Sequence, residues 1–366
     1  MPATRITTPE DPALTELCEK LAELARELDG SGDWPTGQLR LCGEYGVFEW
    51  FIGTEYGGQA WDQGMITRGH LALSAACLTS TFILTQRTGA CRRIESSQNE
   101  ALKAELLPAL GKGDSFATVG ISHLTTSGRH LKEPLLRAEK TDDGFLLNGM
   151  SPWVTGGPHA EHVVVGAQIV EEGVATEEQI VIVVPTDLPG VSCPPHAQLV
   201  ALTSSHTGQV KLDNVMVDER YLLAGPVPEV MKQGVGGKTG GLQTSTLALG
   251  LSQAAIKFLR DETIKRDNLQ TPLDALEADY EQSISALLSA LDGAPICSNE
   301  QLRTRVNSLA LRSTQAALAA AKGAGYVAGH PVGRWCREAL FFLVWSCPEP
   351  VVSANLCELA GLAESY

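Results

Sequence analysis

The chain has 366 residues, 43% of them hydrophobic and only 19% charged, which suits two or three packed units of an ordinary globular protein. Its formal charge of −15 argues against nucleic acid as a partner, because phosphates are neutralised by clustered lysine and arginine and no basic stripe is present. Nine cysteines are scattered without Cys-x-x-Cys or Cys/His metal spacing, so reduced thiols in a cytoplasmic protein are expected rather than disulfides or a zinc site.

The first residues, Met1 to Asp11, lack the basic and then apolar layout of a signal peptide, and every apolar run is too short to span a membrane. From Pro12, residues Leu14, Leu17, Leu21, Leu24 and Leu28 recur at three and four, predicting an amphipathic helix that Gly30 ends. Segments to about Gly111 read the same way, with breaks at Gly43, Gly57-Gly58 and Gly64. The character then changes. Phe145-Leu146-Leu147, His162-Val163-Val164-Val165 and Gln179-Ile180-Val181-Ile182-Val183-Val184 are short β-rich runs between turn residues, and strands are expected to continue to Val215-Met216-Val217 and Leu222-Leu223. Beyond a Gly-rich link, Gly234 to Gly241, the helical period returns at Leu247, Leu251 and Phe258, at Ile284, Leu287 and Leu291, and at Leu302, Val306 and Leu309. Ser298 and Gln301 form a capping box for the third of these helices, and a last helix is expected over Arg334 to Val344. Helices, a β unit and helices again define an α+β class in three domains, 1–114, 115–228 and 229–366.

The stretch Asn148-Gly149-Met150-Ser151-Pro152-Trp153-Val154-Thr155-Gly156-Gly157 sets an indole two residues before a small hydroxyl. Such a pair can pack a flat ring and hydrogen-bond its edge, and it is equally what a strand with one core tryptophan and a turn would show.

The residues around it form an ordered series. Thr54-Glu55-Tyr56-Gly57-Gly58, Leu106-Leu107-Pro108-Ala109-Leu110-Gly111-Lys112-Gly113, Asn148-Gly149 with Trp153-Val154-Thr155, Leu188-Pro189-Gly190-Val191, Leu212-Asp213-Asn214-Val215 and Gly323-Ala324-Gly325-Tyr326 with Arg337-Glu338-Ala339 follow one another along the chain. In motif order and spacing the chain resembles the acyl-CoA dehydrogenase superfamily over nearly its whole length. The resemblance implies an N-terminal helical domain, a central β-barrel-like domain and a C-terminal four-helix bundle. It also implies FAD as cofactor, an acyl-type small-molecule substrate, an electron acceptor or flavin reductase, and a homodimer or homotetramer.

By the same resemblance, Trp153 and Thr155 contact the flavin, Val119, Ile121 and Ser122 line its other side, and Arg266 with Gly323 and Gly325 serves the pyrophosphate of a neighbouring subunit's FAD. Departures from the family pattern cluster at two places. At the adenine end, Leu269, Gln270, Ala319 and Lys322 replace the family's residues. At the chemistry, the register from Arg337 sets Ser346 where most members carry the glutamate that takes the Cα proton, and Gly240 or Gly241 stands at the alternative position. The thioester-binding segment reads Ser122-His123-Leu124-Thr125-Thr126-Ser127-Gly128-Arg129, with a histidine and an arginine in place of two acids.

His123 is a candidate acid or base of near-neutral pKa, or a residue that hydrogen-bonds a carbonyl. Glu349, three residues past the expected site, is the other candidate base, and Cys347 serves only where a cation lowers its pKa. Three activities follow. One is an FAD oxidoreductase passing hydride from an acyl-like substrate to flavin N5. The second is a flavin monooxygenase or oxidase, which needs no Cα base, and the third is a family member that binds without catalysis.

Overall fold

The computed structural model describes residues 4–125, 133–232 and 240–362, so Thr126 to Arg129 and most of the Gly-rich link lie outside the described residues.

Helix α1 (Pro12–Ser31) starts where the Asp11 side chain accepts from the Ala13 N–H, with Pro12 pre-set at the first position. Its buried stripe is Leu14, Leu17, Leu21, Ala25 and Leu28, each buried leucine contributing about 1.5–3 kcal/mol. The helix runs through Gly30, the expected stop, and ends at Gly32, whose φ of 70° lets its N–H reach the Leu28 carbonyl. Helices α2 (Thr36–Glu44), α3 (Gln63–Ala76), α4 (Leu78–Glu95) and α5 (Glu100–Lys112) complete the first section. Gly43 and Gly64 sit in the terminal turns of α2 and α3 and break neither helix.

Next come β1 (Ala117–Gly120), the short α6 (Ser122–Thr125), β2 (Leu136–Lys140), β3 (Gly144–Val154), β4 (His162–Glu171), β5 (Val174–Pro185), β6 (Val191–Ser192), β7 (Gly208–Asp218) and β8 (Leu222–Pro228). They form one eight-stranded mixed sheet in the order β6-β7-β3-β2-β4-β5-β8, with β1 off that path. One edge of β4 is shared: β1 pairs parallel with His162 to Val165, and β2 pairs parallel with Gln168 and Ile169. This mixed sheet is the central β domain expected from sequence; among the described residues its outer strands β6 and β8 do not pair with each other. Both faces are covered. Val163, Val165, Ile180, Ile182 and Val184 enter a core within the β unit, whereas Val164, Val181 and Val183 enter the core shared with the first helices. That is why these strands read as unbroken apolar runs rather than alternating ones.

The third section has α7 (Gly240–Thr263), α8 (Gln270–Leu291) and α9 (Asn299–Gly325), followed by two short helices packed on α9, α10 (Pro331–Ala339) and α11 (Glu349–Leu359). The Ser298–Gln301 capping box is present in both directions. Ser74 on α3 donates to the Leu247 carbonyl at 2.8 Å and ties α7 to the first section. The helix expected to reach Val344 stops at Ala339 and continues as a 3-10 turn, Leu340–Leu343. The Phe342 carbonyl is taken by Arg303 and Asn307 of α9, at 3.3 and 3.0 Å, instead of by a further helical turn. No described helix is long and apolar enough to cross a membrane.

Candidate active site

A register shift in β3 between Ser151 and Val154 lifts Trp153 out of the ladder and leaves its indole 51% exposed. Thr155, immediately after the strand, is instead buried: its hydroxyl lies 2.9 Å from that of Thr207, which lies 2.8 Å from that of Ser205. The pair foreseen from sequence is therefore split, with the ring outside and the hydroxyl inside. Three hydroxyls joined by two contacts carry one hydrogen more than the contacts consume. When the chain runs from Ser205 through Thr207, the spare hydrogen is that of Thr155.

Beside it, Thr118 on β1 donates to the Thr155 carbonyl at 2.8 Å. Gly120 permits this approach, since a Cβ there would sit 2.7 Å from Ser151 Oγ and 2.9 Å from Val154. Strand alternation turns Thr118 and Gly120 toward β3 and Val119 toward α4, where a Cβ on Gly89 would touch Val119 at 3.3 Å. Val119 is buried and Ile121 and Ser122 half-buried, so this segment offers an incoming ring chiefly its backbone.

His123 is buried with Nε2 2.7 Å from the Gly166 carbonyl on β4. Burial lowers its pKa, so the neutral ring donates from Nε2, and Nδ1 is enclosed without a hydrogen-bond partner. Of the two roles open to it, the structure shows the carbonyl partner, on a strand.

The segment around Ser346, where the resemblance sets a glutamate, is firmly built. Trp345 stacks on Phe341 at 4.9 Å, meets Phe82 of α4 edge-on at 5.0 Å, and its carbonyl accepts from Arg303 at 2.9 Å. Ser346 follows, exposed and with φ of 48°. Glu349 is exposed in the first turn of α11, where a carboxylate is favoured by the helix dipole. Cys347 is no substitute nucleophile: burial pushes its thiol up, and Arg303 opposes this without reversing it. Gly240 opens α7 and brings no carboxylate.

Arg266 is occupied within the chain, paired with Glu262 one turn earlier and donating to the Ala320 carbonyl at 2.7 Å. That carbonyl precedes a break in α9, where Lys322 has φ of 56° and ψ of −148°. Gly323 is open, whereas Gly325 packs so closely that a Cβ would meet Ala321 and Val332 at 2.7 Å. No group of three or more metal-binding side chains occurs among the described residues.

The family model described as acyl-CoA dehydrogenase, N-terminal domain, matches residues 13–114. The whole chain superposes on butyryl-CoA dehydrogenase from Megasphaera elsdenii with a TM-score of 0.80, covering 95% of this chain and 97% of that one at 18% identity. Residues 13–114 thus match the acyl-CoA dehydrogenase N-terminal domain, and the whole chain has the acyl-CoA dehydrogenase fold. Its fold is equally similar to that of FkbI, for biosynthesis of the methoxymalonyl extender unit of the Fk520 polyketide, with a TM-score of 0.81, 19% identity, and 96% and 99% of the two chains covered. KijD3, solved with FMN and dTDP-3-amino-2,3,6-trideoxy-4-keto-3-methyl-D-glucose, matches with a TM-score of 0.74, 19% identity, and 98% and 97% covered. No curated protein sequence matches the chain.

Two arrangements join residues that lie far apart in sequence. His159, His206 and His196 join Trp34 in one stack, His159 lying on Trp34 at 4.2 Å and His196 on His206 at 3.9 Å. Glu338 is 2% exposed, its pKa raised by burial, and lines a cavity of about 160 Å³ with Arg334, Arg337, Asp29 and Thr79. Arg337 closes one side of it with two 2.6 Å bonds to Asp29. Only the Arg-Glu-Ala motif hinted at that acid, and nothing in one dimension joins it to Asp29.

Proposed function

We propose that the protein is a flavin-dependent oxidoreductase acting on an acyl or acyl-like substrate by hydride transfer to a flavin held between Trp153 and the β1 backbone. The observation that carries this reading is the exposed Trp153 indole, freed by the register shift in β3 that lies against Gly120. A flavin supplies a two-electron acceptor. The chain's own residues would present a flat apolar wall at Trp153, donate from Thr155 to the ring edge, and hold the other side through backbone near Val119, Ile121 and Ser122. FAD is the cofactor proposed, with Arg266 as its phosphate partner across a subunit interface. The exposed apolar residues Tyr326, Val327, Val344, Leu356 and Leu359 support a homodimer or a tetramer built from dimers.

A second reading is favoured by Ser346: an oxygen-using flavin enzyme, monooxygenase or oxidase, working with a supplied flavin reductase. It requires no carboxylate at the Trp345 loop, and none is there. Neither His123, which is sequestered on Gly166, nor Glu349, which is exposed, offers a ready substitute.

Absorbance of the purified protein tests the common part, since a flavin spectrum is expected and a protein that binds neither FAD nor FMN would leave only a binding subunit. Anaerobic bleaching by butyryl-CoA would support the first reading. Oxygen uptake that depends on added reduced flavin, without such bleaching, would support the second.

A further inference from the structure

Arg93, in the last turn of α4, is 8% exposed and has no carboxylate partner among the described residues. Its single hydrogen bond runs from Nη1 to the Gly89 carbonyl at 2.8 Å on its own helix. Nε is enclosed without any acceptor. Glu95, two residues on, does not serve it: that carboxylate accepts from the Gly53 N–H at 2.6 Å. A buried guanidinium is ordinarily paired, because removing it from water costs several kcal/mol that one neutral carbonyl does not return. Arg87 and Arg303, as deeply buried, each donate to two carbonyls, whereas Arg93 reaches one, which leaves room for a partner from outside the chain.

Its location says which molecule brings the anion. A Cβ on Gly89 would lie 3.4 Å from Arg93 Nη1 and 3.3 Å from Val119, so the guanidinium sits where α4 meets the strand that leads to the proposed flavin site. Phe82, Gly89 and Arg93 follow at intervals of seven and four and so share one face of α4. Phe82, at the far end of that face, touches Trp345 beside Ser346. One stripe of α4 thus runs from the loop where superfamily chemistry takes place to an unpaired cation. With Nη1 turned to Gly89 and Nε enclosed, Nη2 is the nitrogen left for a carboxylate oxygen.

We propose that Arg93 recognises a carboxylate on the substrate, so that the acyl unit handled here carries a second, distal carboxyl group. This rests on the acyl-substrate reading above and narrows it to dicarboxylic acyl units.

The test uses flavin-loaded full-length protein and matched CoA thioesters, adipyl-CoA against hexanoyl-CoA and suberyl-CoA against octanoyl-CoA, with affinities measured by calorimetry. At least one acid-tailed thioester is expected to bind about tenfold or more tighter than its neutral match, as a charged hydrogen-bonded pair is worth roughly 1.5–3 kcal/mol. Arg93→Met should abolish that preference while leaving hexanoyl-CoA and octanoyl-CoA affinities within about twofold, and Arg93→Lys should restore part of it, by the differing geometry of the two cations. Equal binding within both pairs, or a preference that survives Arg93→Met, overturns the proposal and leaves the acyl reading standing. Absence of binding by all four thioesters overturns the acyl reading itself and this proposal with it. Should Arg93→Met fail to fold, the comparison within each pair on the unaltered protein decides alone.

Discussion

His159 Nε2 lies 2.8 Å from His206 Nδ1, and the two imidazoles hold one hydrogen between them. His206 Nε2, 3.1 Å from the Gly32 carbonyl, must carry a hydrogen to donate, so in the neutral ring its Nδ1 accepts from His159. This short relay fastens the end of α1 to the turn after Trp153, with Trp34 and His196 stacked on either side. A proton added at His159 Nδ1 makes an imidazolium that burial and the neighbouring His206 and His196 disfavour.

Stability should therefore fall with acid. Burial, and then the charges of His206 and His196, hold the His159 pKa below its ordinary value, and burial lowers His196 and His162 as well. For a histidine whose folded pKa is depressed, the unfolded chain binds more protons, so its contribution is complete above about pH 6.5 and declines as pH falls through that value. His70, fully enclosed with a pKa lowered to about 3, extends the decline. The melting temperature is expected to drop between pH 7.5 and 5, and His70→Leu should remove about 1.4 kcal/mol per pH unit of slope below pH 6. Parallel pH curves for the variant and the unaltered chain would refute this.

Gly120 is a close approach of β1 to β3, with no room for a Cβ. Gly120→Ala should cost about 1–3 kcal/mol by overpacking against Ser151 and Val154. It should also weaken flavin retention, because the bulge that frees Trp153 spans those residues. Gly30→Ala is the opposite case. That glycine lies inside α1 with nothing within 4 Å of an added Cβ, so a gain of about 0.5–1 kcal/mol is expected. Urea denaturation of both variants checks the contrast in sign.

What could be read in one dimension was local periodicity and local chemistry. The leucine stripe of α1, the Ser298–Gln301 cap and the strand character of residues 162–166 depend on neighbours a few positions away. Gly30 was misjudged as a stop because a glycine ends a helix only where the left-handed conformation is adopted, and that occurs at Gly32. The burial of Thr155 beside an exposed Trp153 is not legible locally, because it is set by Thr207 and Ser205, which are some fifty residues away in sequence and meet it only through the pairing of β3 with β7. Arg93 carried no signal at all. An isolated arginine becomes notable only when three-dimensional neighbours show that no acid accompanies it.

Ser346 offers a direct test of the chemistry. The loop that carries it is held by Arg303 and by the Phe341 and Phe82 contacts of Trp345, none of which involves the serine side chain. Ser346→Glu should fold with little loss and raise the anaerobic rate of flavin bleaching by butyryl-CoA at least tenfold, by supplying a base for the Cα proton. Glu349→Gln should leave that rate unchanged in either background, since Glu349 is exposed in the first turn of α11. A tenfold loss on Glu349→Gln would make that residue the base after all.

Arg266 separates the two halves of the cofactor question. Its guanidinium is shared between Glu262 and the Ala320 carbonyl, so a phosphate reaching it must compete with a carboxylate already in place. Both partners are partly exposed, and such a pair is worth no more than about 1 kcal/mol to the fold. Replacing the acid by a neutral isostere thus removes the competitor without removing the helix. Glu262→Gln is expected to lower the melting temperature by only a few degrees and to tighten FAD severalfold while leaving FMN unchanged, because only the dinucleotide extends far enough to use a phosphate partner at Arg266. Fluorescence titration with each flavin reads the ratio. If FAD and FMN respond alike, Arg266 is a tie between α7 and the break in α9, and the cofactor is held through its ring and ribityl phosphate alone.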